Sequence, residues 1–289
     1  MMKTSYYRMR NKKDFEGCYD LCREGAIAQL SAGEVKGGQE MAKLLGEAYA
    51  ADKVPAGEAA VARALDIMAA FPRGALAGVT LQSLLEDELL PSPLSEFMIT
   101  GTAFAKWCRG SGGEGELTSR ILSEQAEWVI RELGWKGAGI ASAALVQARR
   151  GARLGEYLAL CAQSGGEAER DLFAARGVLQ MLGSGKKADG PALAAECRAL
   201  LAAFRAAGTA AFGADPLATP LGRFAELLVE AVERQRPELG KMLLQAYHNS
   251  LIRDPNLRQM AQGVVNTVLL GQEPKGPGGL MGEIMKMFG

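Results

Sequence analysis

Apolar residues recur at helical spacing along most of the chain, and the pattern is clearest between Asp14 and Ala51. A first stripe passes through Phe15, Cys18, Tyr19, Cys22, Ala26 and Leu30, and a second through Met41, Leu44, Leu45 and Ala48. Steps of three and four residues are typical of an amphipathic helix with one buried face. Glycines between Ser31 and Gly38 give the first helix a place to end. This stretch therefore predicts a helical hairpin.

The same alternation of amphipathic helix and short turn continues to about residue 270. The later predicted helices cover 58–70, 76–90, one beginning at Pro93, 117–133, 139–150, 154–162, 167–182, 191–206, 220–235, 237–251 and 255–270. The glycine-rich stretch 108–116 is interpreted as a linker, and 183–190 as a loop. Alanine and leucine dominate and no segment resembles a strand. The pattern predicts an all-α fold, an α-solenoid of stacked antiparallel helical hairpins, TPR-like with degenerate repeats.

Two carboxylates of the second helix are expected to share one flank. Glu40 and Glu47 are seven residues apart, and at 100° per residue their directions differ by about 20°. The first thirteen residues contain five basic residues and no acidic one, whereas residues 14–100 contain 14 acidic and 6 basic residues, a net charge of −8. Such an acidic region suits a basic protein partner and disfavours nucleic acid.

Hydropathy and cysteine usage indicate a cytosolic protein. The sequence has no run of 18 apolar residues and no signal-peptide pattern, so we expect no direct membrane insertion. The five cysteines are scattered and mostly lie on apolar stripes, which is typical of reduced thiols in a core. The spacing of Cys18 and Cys22 fits neither a redox pair nor a metal site.

The motifs of common catalytic sites are missing from the sequence. The chain has a single histidine, His248, and the adjacent carboxylates Glu86, Asp87 and Glu88 point in different directions on a helix. We therefore expect no catalytic residue, no cofactor and no bound metal. Two alternatives stay open: a generic helical-repeat module that binds peptides or proteins within another cytosolic complex, and an enzyme that uses Cys18 and Cys22.

Several segments resemble the Golgi-to-ER traffic protein 4 family, the α-solenoid adaptor of the guided-entry pathway for tail-anchored proteins. The matching segments are Glu24–Leu30, Gly46–Tyr49, Glu169–Leu182, Thr219–Val232, Leu251–Pro255, Leu270–Lys275 and Gly278–Met285. They occur in order and span almost the whole sequence. The resemblance implies a cytosolic bridge whose N-terminal half docks on a targeting ATPase and whose C-terminal half holds a ubiquitin-like adaptor. In animals a BAG-family scaffold joins at the same end.

The resemblance also assigns functional regions. It implies an ATPase-docking half over residues 1–110, with Glu40 and Glu47 as the acidic contacts, an adaptor-binding half over 111–271, and a tail over 272–289. The family usually has a further helix before the residues that match Met1–Met9, so we expect either a truncated chain or a wrongly assigned start, with part of the ATPase site absent. A hydrophobic hairpin found in some members is replaced here by 183–190.

Apolar residues of the last long helices are candidates for the adaptor side. They are Phe224, Leu228, Met242 and Tyr247. Each of them is equally consistent with core packing, because the helical stripe alone does not tell which apolar face is covered. The methionine-rich tail, with Met281, Met285, Met287 and Phe288, is expected to fold back onto the last helices; direct client binding is the alternative.

Overall fold

The computed structural model describes residues 2–86, 90–113 and 115–272. Within these ranges the secondary structure is helical and contains no strand, which confirms the predicted fold class. Two compact units follow one another, Met1–Lys136 (unit 1) and Gly137–Gly289 (unit 2). The functional division at residue 110 stays a prediction; as packed units, the chain divides after Lys136. The methionine-rich tail lies outside the described residues.

Unit 1 consists of successive helices joined by turns. Its helices are α1 (Met2–Asn11), α2 (Phe15–Ser31), α3 (Val35–Ala51), α4 (Glu58–Ala69), α5 (Leu81–Glu86), α6 (Leu94–Gly110) and α7 (Glu116–Leu133). Helix α2 packs on α1, α3 and α4, and α6 packs on α3 and α7. The α2–α3 hairpin is the predicted one. Asp14 accepts a hydrogen bond from Gly17 N (3.1 Å) at the start of α2, and Gly33, with φ +82°, makes the turn.

The predicted stripes form the core of unit 1, except that Leu44 is half-buried and Phe15 is exposed. Cys18, Tyr19, Cys22 and Leu30 are at most 4% exposed. Phe15 is 41% exposed, because it is the first residue of α2 and lies under the guanidinium of Arg10, 5.2 Å from its ring centroid. Deeper in the unit, three rings from different elements pack together: Phe97 stacks on Trp128 at 4.2 Å, and Phe71 meets Phe97 edge-on at 5.1 Å.

The predicted helix 76–90 is wrong over its first part, since residues 74–80 form turns and α5 begins only at Leu81. Val79 N donates to Leu76 O (3.0 Å), and Lys136 Nζ donates to Val79 O (2.6 Å). Thr80 then caps α5 by accepting from Ser83 N (3.1 Å). The side chains of Lys136 and Thr80 bond to the backbone of this segment and stabilise a turn, although the spacing of its apolar residues is helical.

The predicted linker 108–116 is a short, bonded turn between two helices that pack together. Gly113 N donates to Cys108 O (2.9 Å), and the hydroxyl of Thr118 donates to Gly113 O (2.7 Å). Glu114 lies outside the described residues. Gly112, with φ +82°, and Gly113 thus form a hydrogen-bonded turn directly after α6. Pro93 is the N-cap of α6, so the helix begins at Leu94, one residue later than predicted.

Unit 2 is built from helices around a common core. They are α8 (Ala138–Gln147), α9 (Gly151–Ala162), α10 (Arg170–Gly183), α11 (Gly190–Phe212), α12 (Pro220–Glu233), α13 (Pro237–Ala246), α14 (His248–Leu251) and α15 (Leu257–Val264), which continues into a π-helical turn, Val265–Leu269. Helix α10 is central, because it packs on α9, α11, α12 and α15.

Two predicted boundaries in unit 2 differ from the structure. The predicted helix 191–206 continues for six more residues, to Phe212, and is capped by Gly213, whose φ is +74°. Alanine favours the helix, and Gly208 faces the ring of Pro216 instead of breaking it. The predicted helix 237–251 is interrupted at Tyr247, which separates α13 from α14. No helix within the described ranges is both long and apolar enough to cross a membrane.

Candidate partner-docking surfaces

The flank of α3 presents both predicted carboxylates to solvent. Glu40 and Glu47 are exposed, and seven residues of α-helix separate them by about 10 Å along the axis. Lys43, between them, approaches Glu47 at 3.9 Å, and the two side chains are 66% and 60% exposed. A surface pair of this length contributes little to stability. The α3 flank, defined by Glu40 and Glu47, is thus open to a partner.

Many other acidic residues of unit 1 form ion pairs between helices. Arg63 of α4 bonds both Glu16 (2.6 Å) and Asp20 (3.0 Å) of α2. Arg23 of α2 bonds Asp66 of α4 at 2.7 Å. The α2 carboxylates are therefore partly neutralised within the unit, which limits the acidic field predicted for residues 14–100.

The C-terminal end of α3 is fixed by a polar cluster. Tyr19 donates to Asp52 at 2.7 Å, and Arg10 also forms an ion pair with Asp52. Burial alone would raise the pKa of Asp52, but the hydrogen bonds from Arg10 and Tyr19 outweigh it and lower the pKa. Asp52 therefore stays ionised at neutral pH and ties α3 to α1 and α2.

A groove runs between α3 and α6 directly beside this end of α3. We name it the α3–α6 groove; its volume is about 780 Å³. Gly46, Lys43 and Glu47 line one side, Lys106 and Trp107 the other. Lys53 and Ala103 also line the groove. Sequence reasoning missed this groove, because small residues on two separate helices have no recognisable spacing along the chain.

The four candidate residues for adaptor binding fall into two groups. Phe224 and Leu228 of α12 are completely buried, so the structure favours the core-packing alternative for both, and neither side chain can contact a partner. Met242 of α13 is 64% exposed. Tyr247 is half-buried, and its ring lies 5.7 Å from that of Phe224. The candidate adaptor surface is thereby reduced to Met242 and Tyr247.

Two buried aspartates of unit 2 form reciprocal ion pairs with arginines. Asp171 of α10, 4% exposed, accepts two hydrogen bonds from Arg253, at 2.8 and 3.0 Å. Asp254, 3% exposed, pairs with Arg176 of α10 and accepts from Asn256 N at 2.9 Å. Asn256 is the N-cap of α15, so the helix predicted from residue 255 begins at Leu257. These pairs join α10 to the segment before α15.

Nucleophilic or metal chemistry finds no support among the cysteines. All five are free and buried, as predicted for core residues. Burial raises the pKa of Cys22 to about 12 and also raises the pKa of Cys18, so both thiols are protonated at neutral pH. Among the described residues, no group of three or more His, Cys, Asp or Glu side chains could hold a metal ion.

Comparison with known proteins points to one family. A family profile described as Golgi to ER traffic protein 4 matches residues 12–288. Among solved structures, the fold is similar to the "Crystal structure of C. therm. Get4", with a TM-score of 0.72 and 15% sequence identity over 100% of this chain and 87% of that chain. Identity this low supports similarity of fold alone. None of the curated proteins matches the sequence.

Proposed function

The chain belongs to the Golgi to ER traffic protein 4 family, and from this premise we propose that it is a non-catalytic cytosolic bridge between a targeting ATPase and a ubiquitin-like adaptor. The resemblance drawn from the sequence segments is thereby confirmed, and family membership gives the chain a role in the targeting of tail-anchored proteins. The observation that carries the proposal is the family match over nearly the whole chain. A BAG-family scaffold is a further proposed partner at the adaptor end.

The α3 flank is the proposed docking surface for the ATPase. Its two carboxylates are exposed and share one face of a helix that α2 and α6 hold in place. A basic patch on a partner would meet both carboxylates at once. Charge pairs at the rim of an interface act mainly on the rate of association and its salt dependence.

Reversing both charges, Glu40→Lys with Glu47→Lys, should weaken ATPase binding roughly tenfold at low salt and flatten its dependence on ionic strength. The measurement is the association rate of the purified ATPase at several salt concentrations. The control is Glu24→Lys with Glu238→Lys, which changes the net charge equally at exposed positions of α2 and α13. Unchanged binding at low salt would remove Glu40 and Glu47 from the interface.

Met242 offers the sharpest test of the adaptor side. Replacing it with glutamate places a charge on an apolar surface that a partner would desolvate, so adaptor binding should fall roughly tenfold while thermal stability is unchanged. Leu160→Glu is the matched control, since Leu160 is also an exposed apolar residue of unit 2, at 44%. Titration of the labelled adaptor with each variant measures the difference. Equal affinities of the Met242→Glu and Leu160→Glu variants for the adaptor would show that Met242 is not part of the adaptor surface.

A further inference from the structure

Gly46 lies in the interior of α3 without a packing reason. A Cβ atom built there would meet no heavy atom of another element within 4 Å. Gly38 of the same helix is different, because its Cβ would overlap the side chain of Leu30 on α2. Glycine in a helix interior is less stable than alanine. Packing of unit 1 therefore explains Gly38 but not Gly46, whose effect is to leave the α3–α6 groove open.

The floor of the groove is rigid and apolar. Trp107 Nε1 donates to Val54 O at 3.3 Å, and the Trp107 ring lies 4.7 Å from that of Tyr49. Tyr49 is completely buried, so the indole is held from behind. A volume of about 780 Å³ accommodates one or two bulky side chains together with the backbone that bears them.

The rim of the groove is basic although the surrounding sequence is acidic. Lys43, Lys53 and Lys106 line it, against the single carboxylate of Glu47. Glu47 pairs with Lys43; no carboxylate of the described residues forms an ion pair with Lys53 or Lys106. The rim thus has an excess of positive charge, whereas residues 14–100 as a whole carry a net charge of −8. The positive rim complements a negatively charged ligand.

We propose that the α3–α6 groove binds an acidic peptide segment of a partner protein, which inserts one bulky apolar side chain over Gly46 against Trp107. Carboxylates flanking that side chain reach Lys53 and Lys106. The site is separate from the ATPase contact proposed for the α3 flank, because that flank favours a basic partner. Glu47 lies between the two surfaces and so is not used to test either alone.

Selection from a library of random displayed peptides on the purified full chain tests the proposal, with counter-selection on the Gly46→Leu variant. The enriched peptides should be acidic with one leucine, isoleucine, phenylalanine or tryptophan. Measured singly, they should bind Gly46→Leu and Lys53→Glu/Lys106→Glu at least about tenfold more weakly than the unchanged chain. Binding should weaken as salt rises. Gly46→Ala, which fills little of the groove, should stay within about threefold.

Three outcomes would overturn the proposal: no peptide is enriched, the enriched peptides are basic, or they bind Gly46→Leu as well as the unchanged chain. The midpoint of thermal unfolding of Gly46→Leu should equal or exceed that of the unchanged chain, because the added side chain enters open space. If that variant fails to fold, the lysine variant decides alone. Glu40→Lys should leave peptide binding unchanged, so failure of the ATPase proposal and failure of this one are distinguishable.

Discussion

Replacing Arg253 with methionine should lower the free energy of unfolding of unit 2 by about 3 kcal/mol. The variant removes both hydrogen bonds to the Asp171 carboxylate and leaves that carboxylate 4% exposed without its counter-ion. An unpaired charge in such a place cannot recover its hydration. The Arg253 side chain is itself 35% exposed, which places the expected loss at the lower end of the range for broken buried pairs.

Replacing the aspartate of this pair should destabilise unit 2 less than replacing the arginine. Asp171→Asn removes the buried charge and keeps an oxygen that Arg253 can still reach, so we expect a loss of about 1–2 kcal/mol. Arg176→Met should also cost less than Arg253→Met, since Asp254 keeps its hydrogen bond from Asn256 N. Arg253→Met should therefore cause the largest loss of stability of the three variants, because Arg253 is the only cation of the described residues that neutralises Asp171.

Urea unfolding followed by two signals measures these losses. The three tryptophans, Trp107, Trp128 and Trp135, all lie in unit 1, whereas circular dichroism reports helices of both units. Arg253→Met should shift the dichroism transition. Lys241→Met is the matched control, because Lys241 and Glu238 form an exposed pair at 3.2 Å whose loss should change stability by no more than about 0.5 kcal/mol. Equal shifts in both variants would contradict the role given to Asp171.

The residues of these ion pairs occur in sequence segments that carry the family resemblance. Asp171 and Arg176 lie in Glu169–Leu182, and Arg253 and Asp254 in Leu251–Pro255. Each segment supplies one arginine and one aspartate, and the structure makes them partners across some eighty residues of sequence. Nothing local in the sequence indicates this pairing, because a helical pattern describes each element alone. The only indication of these ion pairs in the sequence is that both segments contain an arginine and an aspartate.

The sequence predicts helices with strong apolar stripes well, but it does not predict which of their apolar side chains are exposed. The α2–α3 hairpin and the flank of Glu40 and Glu47 follow from the helical period alone. Phe224 and Met242 both lie on apolar stripes of predicted helices, yet Phe224 is completely buried and Met242 is 64% exposed. Which apolar side chain is covered depends on the neighbouring helix, here α10 against α12. A single-helix pattern cannot supply that information.

Glycine was the least reliable signal, since its role depends on what lies opposite. The glycines near Gly112 and Gly151 were interpreted as lying between helices, whereas Gly155 falls inside the predicted helix 154–162. Gly112, with φ +82°, does form a turn. Gly151 is instead the first residue of α9, which contains Gly155 as predicted. Both glycines face α11, four residues apart, which lets the two backbones approach closely. Sequence alone does not separate these cases.

Replacing Gly155 with alanine should therefore lower the free energy of unfolding of unit 2 by about 2–3 kcal/mol. A Cβ atom there would overlap the backbone oxygen of Leu200 and lie 2.9 Å from Phe204 N. Backbone atoms of α11 cannot rotate away as a side chain could, so α9 and α11 must separate. That separation also weakens the contact at Gly151, whose amide donates to the Glu196 carboxylate at 2.7 Å.

Gly46→Ala is the matched control, because it makes the same chemical change inside a helix with open space around the new methyl group. It should raise the free energy of unfolding of unit 1 by about 0.5–1 kcal/mol, which tryptophan fluorescence would detect, whereas the loss from Gly155→Ala should appear in the dichroism transition. Opposite signs would separate a glycine that packing requires from one that packing does not require. Similar destabilisation by both would mean that α3 needs Gly46 for its fold, and the open groove would then be a by-product of packing.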